Sequence, residues 1–389
     1  MSPEGTTEVR KHRTDRWVYR DYTGDFSARQ ARTLLAVLAL IVVLAEVAVR
    51  IVGPEDRRTS QNSMHGLRTQ LLQMEEDPRP KIVGVGDSSL QGGGVLRDED
   101  TGMGMLWTDL RGTHSVYNLG VPGGTAYTNK FLLEVIRNRP IENVDRVIVE
   151  MIPSKFMVPK KGAPTLEESG LASVQELNRF LPFADARALG IPSDPLNRDV
   201  AIEYRFQYGL AKLSHLYRMR DAFKNRIVGG YPAFWFAASL LPNNIRKRML
   251  ADKGDGNNRL AAQTEDVPYR PQMGKPSDRE VYFSDRGQFE MLRDTLRQAK
   301  RISKKPPVLL IHPTHFEYQK ISERQRRLHL QALRDMGRSM ERLAREEGVE
   351  LVVVPSNEYQ DPSFWTKTTA HFNERLHRIV FERLRAKLP

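Results

Sequence analysis

The stretch of sequence that decides the fold is 80-PKIVGVGDSSLQGGGV-95, in which a short apolar run ends in a Gly-Asp-Ser turn. The run from Lys81 to Val85 has the length of a buried strand, and a helix is expected after the turn. Similar apolar runs follow at Ser115 to Asn118, Arg146 to Met151, Val308 to Ile311 and Glu350 to Val354. Helical patterns separate and follow them, at Met103 to Leu110, Ala126 to Asn138, Ile321 to Glu347 and Asn373 to Lys387. This alternation predicts a doubly wound α/β fold with a parallel sheet.

An apolar segment precedes the α/β pattern, from Thr33 to Val52 (TLLAVLALIVVLAEVAVRIV). A helix of ~20 residues crosses the ~30 Å hydrocarbon core of a bilayer, so residues 33–53 are predicted to form a transmembrane anchor. Glu46 and Arg50 are four residues apart and can pair on one helix face near the interface. The alternatives are a cleavable signal peptide, which the long basic leader disfavours, and a buried core helix, which the lack of a polar face disfavours.

Basic residues are distributed unevenly around this segment. At its C-terminal end and just behind it come only Arg50, Arg57 and Arg58, whereas ahead of it lie Arg10, Lys11, Arg13, Arg16, Arg20, Arg29 and Arg32. The positive-inside rule therefore predicts a cytoplasmic basic tail at residues 1–32. We expect a single-pass protein of the cell (inner) membrane whose main body is periplasmic or extracellular.

Two regions lie outside the strand and helix alternation. Residues 54–79 are mostly polar and are expected to form a stalk with one amphipathic stretch. The domain is expected over residues 80–389, with a helical insertion at about 159–285 that is too long for an ordinary crossover. Within the insertion, the apolar run at 228–241 is either a buried helix or a lid that rests on anionic lipid.

Composition excludes several classes of protein. The chain contains no cysteine, so disulfides, thiolate catalysis and cysteine-ligated metals are excluded. Its formal net charge of +12 suits nucleic acid, anionic lipid or an anionic polysaccharide. The basic residues are scattered, however, and no nucleic-acid-binding motif is present, so we expect no nucleic-acid partner.

The loops that follow strands contain the candidate catalytic residues, because parallel α/β sheets bind ligands at the carboxyl ends of their strands. Ser88 lies at a strand-to-helix turn, where its hydroxyl is exposed and its N–H can face an oxyanion. A glycine-rich turn, NLGVPGGT at 118–125, follows the second strand. His371 precedes the last helix and can accept the Ser88 proton, which an alcohol must lose to become a good nucleophile.

Together these segments resemble the GDSL/SGNH hydrolase family, in particular bacterial members. GDSSLQGGGVLRDEDTG is similar to the first block of the family, NLGVPGGT to the second, VIVEMIPS to the third, and HFNERLHRIVFERL to the last block and closing helix. The resemblance covers about 80–157 and 306–389. It implies a three-layer α/β/α flavodoxin-like domain with Ser88 as nucleophile and oxyanion donor, Gly123 as a second N–H donor and His371 as base. It implies no metal or organic cofactor.

Two positions depart from the family pattern. Ser154 stands where the family has an asparagine of the oxyanion hole, and a hydroxyl donates but reaches less far. Thr368 stands where the family has the aspartate that orients the histidine. Candidates for orienting His371 are therefore the Thr368 hydroxyl, a backbone carbonyl, Asp361 or Glu358. The mechanism expected is a Ser-His dyad, and a lost oxyanion donor costs ~10² to 10³ in rate, so the enzyme is expected to be slow or specialised.

Other residues are weaker candidates. His312 and His315 are spaced i, i+3 and follow the fourth strand, but no third metal ligand is evident, so we expect no metal site. Asp87 is expected to cap the helix after the turn. Trp365 is expected either to pack in the core or to border the substrate pocket.

The sequence therefore predicts an extracytoplasmic serine esterase that acts through an acyl-Ser88 intermediate on an ester or on an acylated carbohydrate or lipid. One alternative is an O-acyltransferase that modifies a cell-envelope polysaccharide, with a membrane-bound acyltransferase as partner. The other is a catalytically weak or inactive scaffold or binding protein of the envelope, which Thr368 and Ser154 favour.

Overall fold

The computed structural model describes residues 28–52, 64–92, 95, 98–121, 123–159, 198–218, 282–284, 286–313, 323–355, 358–359, 361–365 and 371–388. The chain divides into two compact units, Met1–Pro54 and Glu55–Pro389. The described part of the first unit is helix α1, Ala28–Val52. It is long and apolar enough to cross a membrane, and Arg50 Nε lies 2.9 Å from Glu46 Oε1 on its surface. A signal sequence has the same length and composition, so the anchor and its orientation remain predictions.

The second unit is built on parallel strands β1 (Lys81–Val85), β2 (Ser115–Asn118), β3 (Val144–Met151), β6 (Val308–Ile311) and β7 (Glu350–Val353). Their order in the sheet is β2-β1-β3-β6-β7. One face packs against helices α4 (Gly102–Leu110) and α10 (Glu374–Arg385). The other face packs against α2 (Met64–Glu76), α5 (Ala126–Arg137), α8 (Arg286–Ile302) and α9 (Glu323–Glu346). The predicted doubly wound α/β fold with its parallel sheet is confirmed.

Alternate side chains of each strand enter two separate cores. On β3, Val147 and Val149 pack in the core under α5 and α8, whereas Ile148 packs in the core under α4 and α10. All three side chains are fully buried. Because both faces of the sheet are covered, most residues of the strands are apolar, which is the pattern that marked them in the sequence.

Helix α2 differs from the stalk expected over residues 54–79. Leu67, Leu71 and Met74 recur at helical spacing and are buried in the main core of the domain. Gln70 Oε1 accepts the N–H of Asn118 at 3.0 Å, so α2 also covers the end of edge strand β2. At least residues 64–76 therefore belong to the globular domain, because their apolar face has a core to enter.

The insertion begins and ends in one short antiparallel ribbon. Strand β4 (Met157–Pro159) pairs with β5 (Tyr282–Ser284), with Met157 opposite Ser284. Helices α6 (Arg198–Leu213) and α7 (His215–Arg218) are described within it, and Arg218 makes an ion pair with Glu76 of α2. The apolar run at 228–241 lies outside the described residues.

Candidate active site

The Gly-Asp-Ser turn connects β1 to the short helix α3, Ser88–Gln91. Asp87 is the N-cap of α3, and its Oδ1 accepts the N–H of Ser89 at 2.7 Å, as expected for a capping aspartate. Gly92 ends the helix with a φ of 92°, a left-handed conformation that glycine adopts without strain. The turn thus presents Ser88 at the first helical position, at the carboxyl edge of the sheet.

His371 reaches the same edge from the far end of the chain. Its Nε2 lies 2.9 Å from Ser88 Oγ, although the two residues are separated by 283 positions in the sequence. The histidine directly precedes Phe372, which forms an isolated bridge with Trp365, and Asn373, which caps α10. Strand β1 and the start of α10 therefore bring the predicted nucleophile and base to hydrogen-bond distance.

Burial adjusts the protonation of His371. Desolvation lowers the pKa of His371 below its usual value of 6.5, and the nearby charge of Asp87 partly opposes that shift. The imidazole is therefore neutral at pH 7. A neutral ring with its proton on Nδ1 has its Nε2 lone pair free to accept the Ser88 proton.

The other ring nitrogen of His371 has no hydrogen-bond partner among the described residues. Asp361 is engaged elsewhere, because its carboxylate accepts the N–H of Ser363 at 2.7 Å. Glu358 lies 3.6 Å from the guanidinium of Arg383. Of the candidates for orienting His371, the structure thus brings neither carboxylate to Nδ1, and Thr368 lies outside the described residues.

The loop after β2 is locked against the Gly-Asp-Ser turn by glycines. A Cβ on Gly124 would lie 2.5 Å from the carbonyl oxygen of Gly86, and one on Gly120 would lie 2.7 Å from the amide nitrogen of Gln91. Gly123 has a φ of 71°, and a Cβ there would meet open space. Close packing thus requires glycine at positions 120 and 124. At position 123 the positive φ favours glycine, and the open space around it lets a substrate approach the backbone.

The three predicted oxyanion donors follow three neighbouring strands. Ser88 follows β1, Gly123 follows β2, and Ser154 lies in a 3₁₀ turn, Pro153–Phe156, directly after β3. Carboxyl ends of adjacent parallel strands lie about 5 Å apart, so all three belong to one edge of the sheet. Their roles remain predictions.

Glu150 is the functional candidate that the sequence analysis missed. Its Oε2 accepts the N–H of Asp87 at 2.6 Å, and its Oε1 lies 3.2 Å from Nδ1 of His312. A Cβ on Gly86 would lie 2.0 Å from the same carboxylate, so glycine is required there. A glutamate inside the buried run VIVEM was the sequence signal that pointed to it.

The Glu150–His312 contact joins two fully buried groups. Desolvation, followed by the charge of Asp87, raises the pKa of Glu150 well above its usual value, and desolvation lowers the pKa of His312 well below its own. Both shifts favour a neutral pair, a protonated Glu150 beside an uncharged His312, although Glu150 Oε1 and the His312 ring nitrogens make no hydrogen bond among the described residues. The Gly-Asp-Ser turn is thus held by its hydrogen bond to Glu150, a buried side chain that His312 contacts on its other side.

The remaining candidates from the sequence are His312, His315 and Trp365, and the two that the structure describes pack inside the domain. His312 packs on Phe372 with ring centroids 4.6 Å apart, His315 lies outside the described residues, and no group of three metal-binding side chains occurs in the part of the chain that the structure describes. Trp365 is buried, and its indole N–H donates to the carbonyl of Tyr359 at 2.7 Å. It therefore packs the loop before His371 instead of facing open space.

Comparisons with known proteins give few matches. No family model matches the chain, and no curated protein matches it. Among solved structures, phospholipase A1 from Streptomyces albidoflavus NA297 and an extracellular lipase from Streptomyces rimosus are each 10% identical with a TM-score of 0.38, over 79% of this chain and 99% of theirs. LAE5, an α/β hydrolase from the metagenome of Lake Arreo, Spain, is 14% identical with a TM-score of 0.34, over 80% of this chain and 96% of its own. Likeness at these values does not place the chain in a family.

Proposed function

We propose that this chain is a membrane-anchored serine hydrolase of ester bonds that uses Ser88 and His371 as a dyad. The observation that supports this most directly is the 2.9 Å approach of His371 Nε2 to Ser88 Oγ at the carboxyl edge of a parallel sheet. A neutral imidazole beside a serine hydroxyl at a strand-to-helix turn is the arrangement that activates an alcohol.

The first half of the reaction forms an acyl-enzyme. Ser88 Oγ attacks the ester carbonyl carbon while its proton moves to His371 Nε2, and the carbonyl oxygen becomes an oxyanion. The backbone N–H groups of Ser88 and Gly123 and the hydroxyl of Ser154 are the proposed donors to that oxygen. The intermediate collapses as the C–O bond to the alcohol breaks, and His371 returns the proton to the leaving alkoxide.

The second half releases the acid. Water gives a proton to His371 Nε2 and attacks the carbonyl of acyl-Ser88, and collapse of this intermediate frees the carboxylic acid and returns the proton to Ser88. A sugar hydroxyl in place of water would give O-acyl transfer. That second candidate activity is favoured by the exposed arginines of α9, which suit an anionic carbohydrate acceptor.

Labelling of the full-length chain in detergent micelles with a fluorophosphonate probe tests the dyad. We expect covalent labelling of the natural chain and none in Ser88→Ala or His371→Ala, together with Ser88-dependent hydrolysis of p-nitrophenyl acetate. Equal background hydrolysis in all three chains, with no labelling, would instead support a non-catalytic scaffold.

Membrane topology requires a separate test. The predicted cytoplasmic basic tail and extracytoplasmic domain imply that alkaline phosphatase fused after Pro54 is active in a bacterial host, because that enzyme folds only in an oxidising compartment. An inactive but expressed fusion would contradict the outside placement while leaving the Ser88 chemistry untouched.

A further inference from the structure

Helix α9 exposes a row of arginines along its whole length. The arginine stripe consists of Arg324, Arg327, Arg334, Arg338, Arg342 and Arg345, and Gln331 fills the gap in the row. Steps of three or four residues place these side chains on one helix face. The opposite face holds Leu333, Met340 and Leu343 in the core. The stripe therefore lies on the solvent-exposed side of α9.

These arginines differ from most other described arginines of the domain in having no partner among the residues that the structure describes. Arg139 pairs with Glu75, Arg146 with Glu350 and Arg385 with Asp109. By contrast, no member of the stripe makes an ion pair or a side-chain hydrogen bond with any residue that the structure describes. A guanidinium without a carboxylate keeps its full donor fork for an external anion.

The geometry of the stripe favours a linear anion. At 1.5 Å rise per residue, neighbouring arginines stand about 5 to 6 Å apart, except across the Gln331 gap, where the step is about 10 Å, and the row is about 32 Å long. Acidic residues border it on both sides, with Glu323 and Glu341 on one side and Asp335 and Glu346 on the other. A flat anionic membrane would meet these carboxylates together with the arginines, whereas a single chain of charges can follow the row between them.

Helix α9 also contains no aromatic residue of the Phe, Tyr or Trp type. Proteins that bind single-stranded nucleic acid combine basic grooves with aromatic side chains on which bases stack. An acidic carbohydrate polymer needs only the charged contacts. The stripe therefore suits a carbohydrate polymer better than a nucleic acid.

The stripe is also next to the candidate active site. Arg334 and Arg338 line a cavity of about 140 Å³ whose other walls include Pro153 and His312, at the carboxyl edge of the sheet. Pro153 directly precedes Ser154, and His312 contacts Glu150 beneath the nucleophile turn. A polymer held on the stripe would thus extend toward the edge at which Ser88 lies.

We propose that the arginine stripe binds a linear anionic polysaccharide with one charge per roughly 5 Å, such as a polyuronate. Resting on the proposed function, the same polymer, carrying O-acyl groups, is the substrate class of Ser88. The stripe would bind sugar units that do not react, while one acylated unit of the same polymer lies at Ser88.

Binding of labelled polygalacturonate oligomers to the full-length chain in zwitterionic micelles tests the stripe. Affinity is expected to rise with oligomer length up to about six or seven units, the length of the row, and to fall with added salt. The variant Arg327→Gln, Arg334→Gln, Arg338→Gln is expected to bind about tenfold more weakly or worse, the sum of three modest exposed ion pairs. Glutamine keeps the helix propensity, so the fold is retained.

A matched control removes three charges elsewhere, by Arg111→Gln, Arg301→Gln and Arg378→Gln, all at exposed positions. The control is expected to bind within about twofold of the natural chain. The proposal would be overturned if both variants bound equally weakly or if affinity did not depend on oligomer length. It would also be overturned if the stripe bound phosphatidylglycerol vesicles or oligothymidylate more strongly than polygalacturonate.

Two further measurements separate this proposal from the proposed hydrolase. Ser88→Ala is expected to bind polygalacturonate as the natural chain does, so binding without fluorophosphonate labelling would retain the stripe and reject the hydrolase. On acetylated polygalacturonate, the stripe variant is expected to raise KM about tenfold with a smaller change in kcat, whereas the control variant keeps the KM of the natural chain. Labelled, active enzyme with no polymer affinity would reject the stripe alone.

Discussion

Ser88 and His371 meet in one hydrogen bond, but the contacts that hold the two residues in place differ. The Ser88 turn is fixed from several sides: Glu150 accepts the Asp87 N–H, the Val121 N–H donates to Gly86 O at 3.0 Å, and Gly124 closes over the turn. His371 is fixed mainly by its neighbours in sequence, Phe372 and Asn373, and its Nδ1 has no partner in the described part of the chain. Among the described residues, Ser88 is therefore held by more contacts from distant parts of the chain than His371 is.

The largest effect is expected where the Ser88 turn has no space. In Gly86→Ala, the new Cβ would lie 2.0 Å from Glu150 Oε2 and 2.8 Å from Glu150 Cβ, so the turn must shift and lose its buried hydrogen bond. We expect the free energy of unfolding to fall by about 3 kcal/mol and Ser88 labelling to be nearly abolished. Thermal unfolding in micelles and labelling rates measure both. Gly112→Ala, where a Cβ meets nothing within 4 Å, is the control and should change neither.

Substitutions of Glu150, which accepts the Asp87 N–H of the Ser88 turn, should show whether this glutamate acts in its neutral or in its charged form. Glu150→Gln keeps an uncharged side chain with an acceptor for the Asp87 N–H, whereas Glu150→Leu leaves that buried N–H unpaired at a cost of about 1 to 3 kcal/mol. We therefore expect Gln to retain kcat within a few-fold and Leu to lose it about tenfold or more without a matching rise in KM. Equal losses in both variants would mean that an ionised Glu150 is required.

The pH dependence of stability checks the same assignment. Because the pKa of Glu150 is raised in the folded state from its ordinary value of 4.5, the unfolded chain releases this proton first as pH rises. The natural chain should lose stability relative to Glu150→Gln as pH increases above about 4.5. Melting temperatures of the two chains between pH 5 and 8 show this as a widening difference in favour of Gln, and a constant difference would contradict it.

The sequence predicted the fold and the edge of the sheet that holds the site, and it missed what depends on three-dimensional packing. The apolar strands were recognisable because both faces of the sheet are buried, and Ser88 and His371 because each lies where an element begins. Glu150 was missed because its partners, Asp87 and His312, are distant in sequence. Helix α8 was not predicted, and α2 was assigned to a stalk, because an amphipathic pattern does not say which core its apolar face will enter.

A carboxylate introduced shortly before His371 should act on the Nδ1 atom, which has no partner among the described residues. Thr368→Asp places an acidic group three residues before His371, the position that the family resemblance assigns to the orienting aspartate. If the new carboxylate reaches Nδ1, kcat should rise about tenfold and the pKa of His371 should rise, because the charged imidazole gains a partner. Rates of p-nitrophenyl acetate hydrolysis between pH 4 and 8 measure both changes. Thr368→Asn is the uncharged control, and an equal gain in both variants would exclude a charge effect.

The smallest expected effect comes from the charge that the two loops share. Asp87 raises the pKa of His371 against the larger lowering by burial, so Asp87→Asn should let that pKa fall further. Asparagine is as good an N-cap as aspartate, so α3 and the turn should persist with little change in unfolding free energy. The acid limb of kcat/KM, which follows deprotonation of His371, should therefore move to lower pH by less than about one unit. If the acid limb moved to higher pH, or disappeared while the fold stayed intact, Asp87 would affect Ser88 by some means other than its charge beside the imidazole.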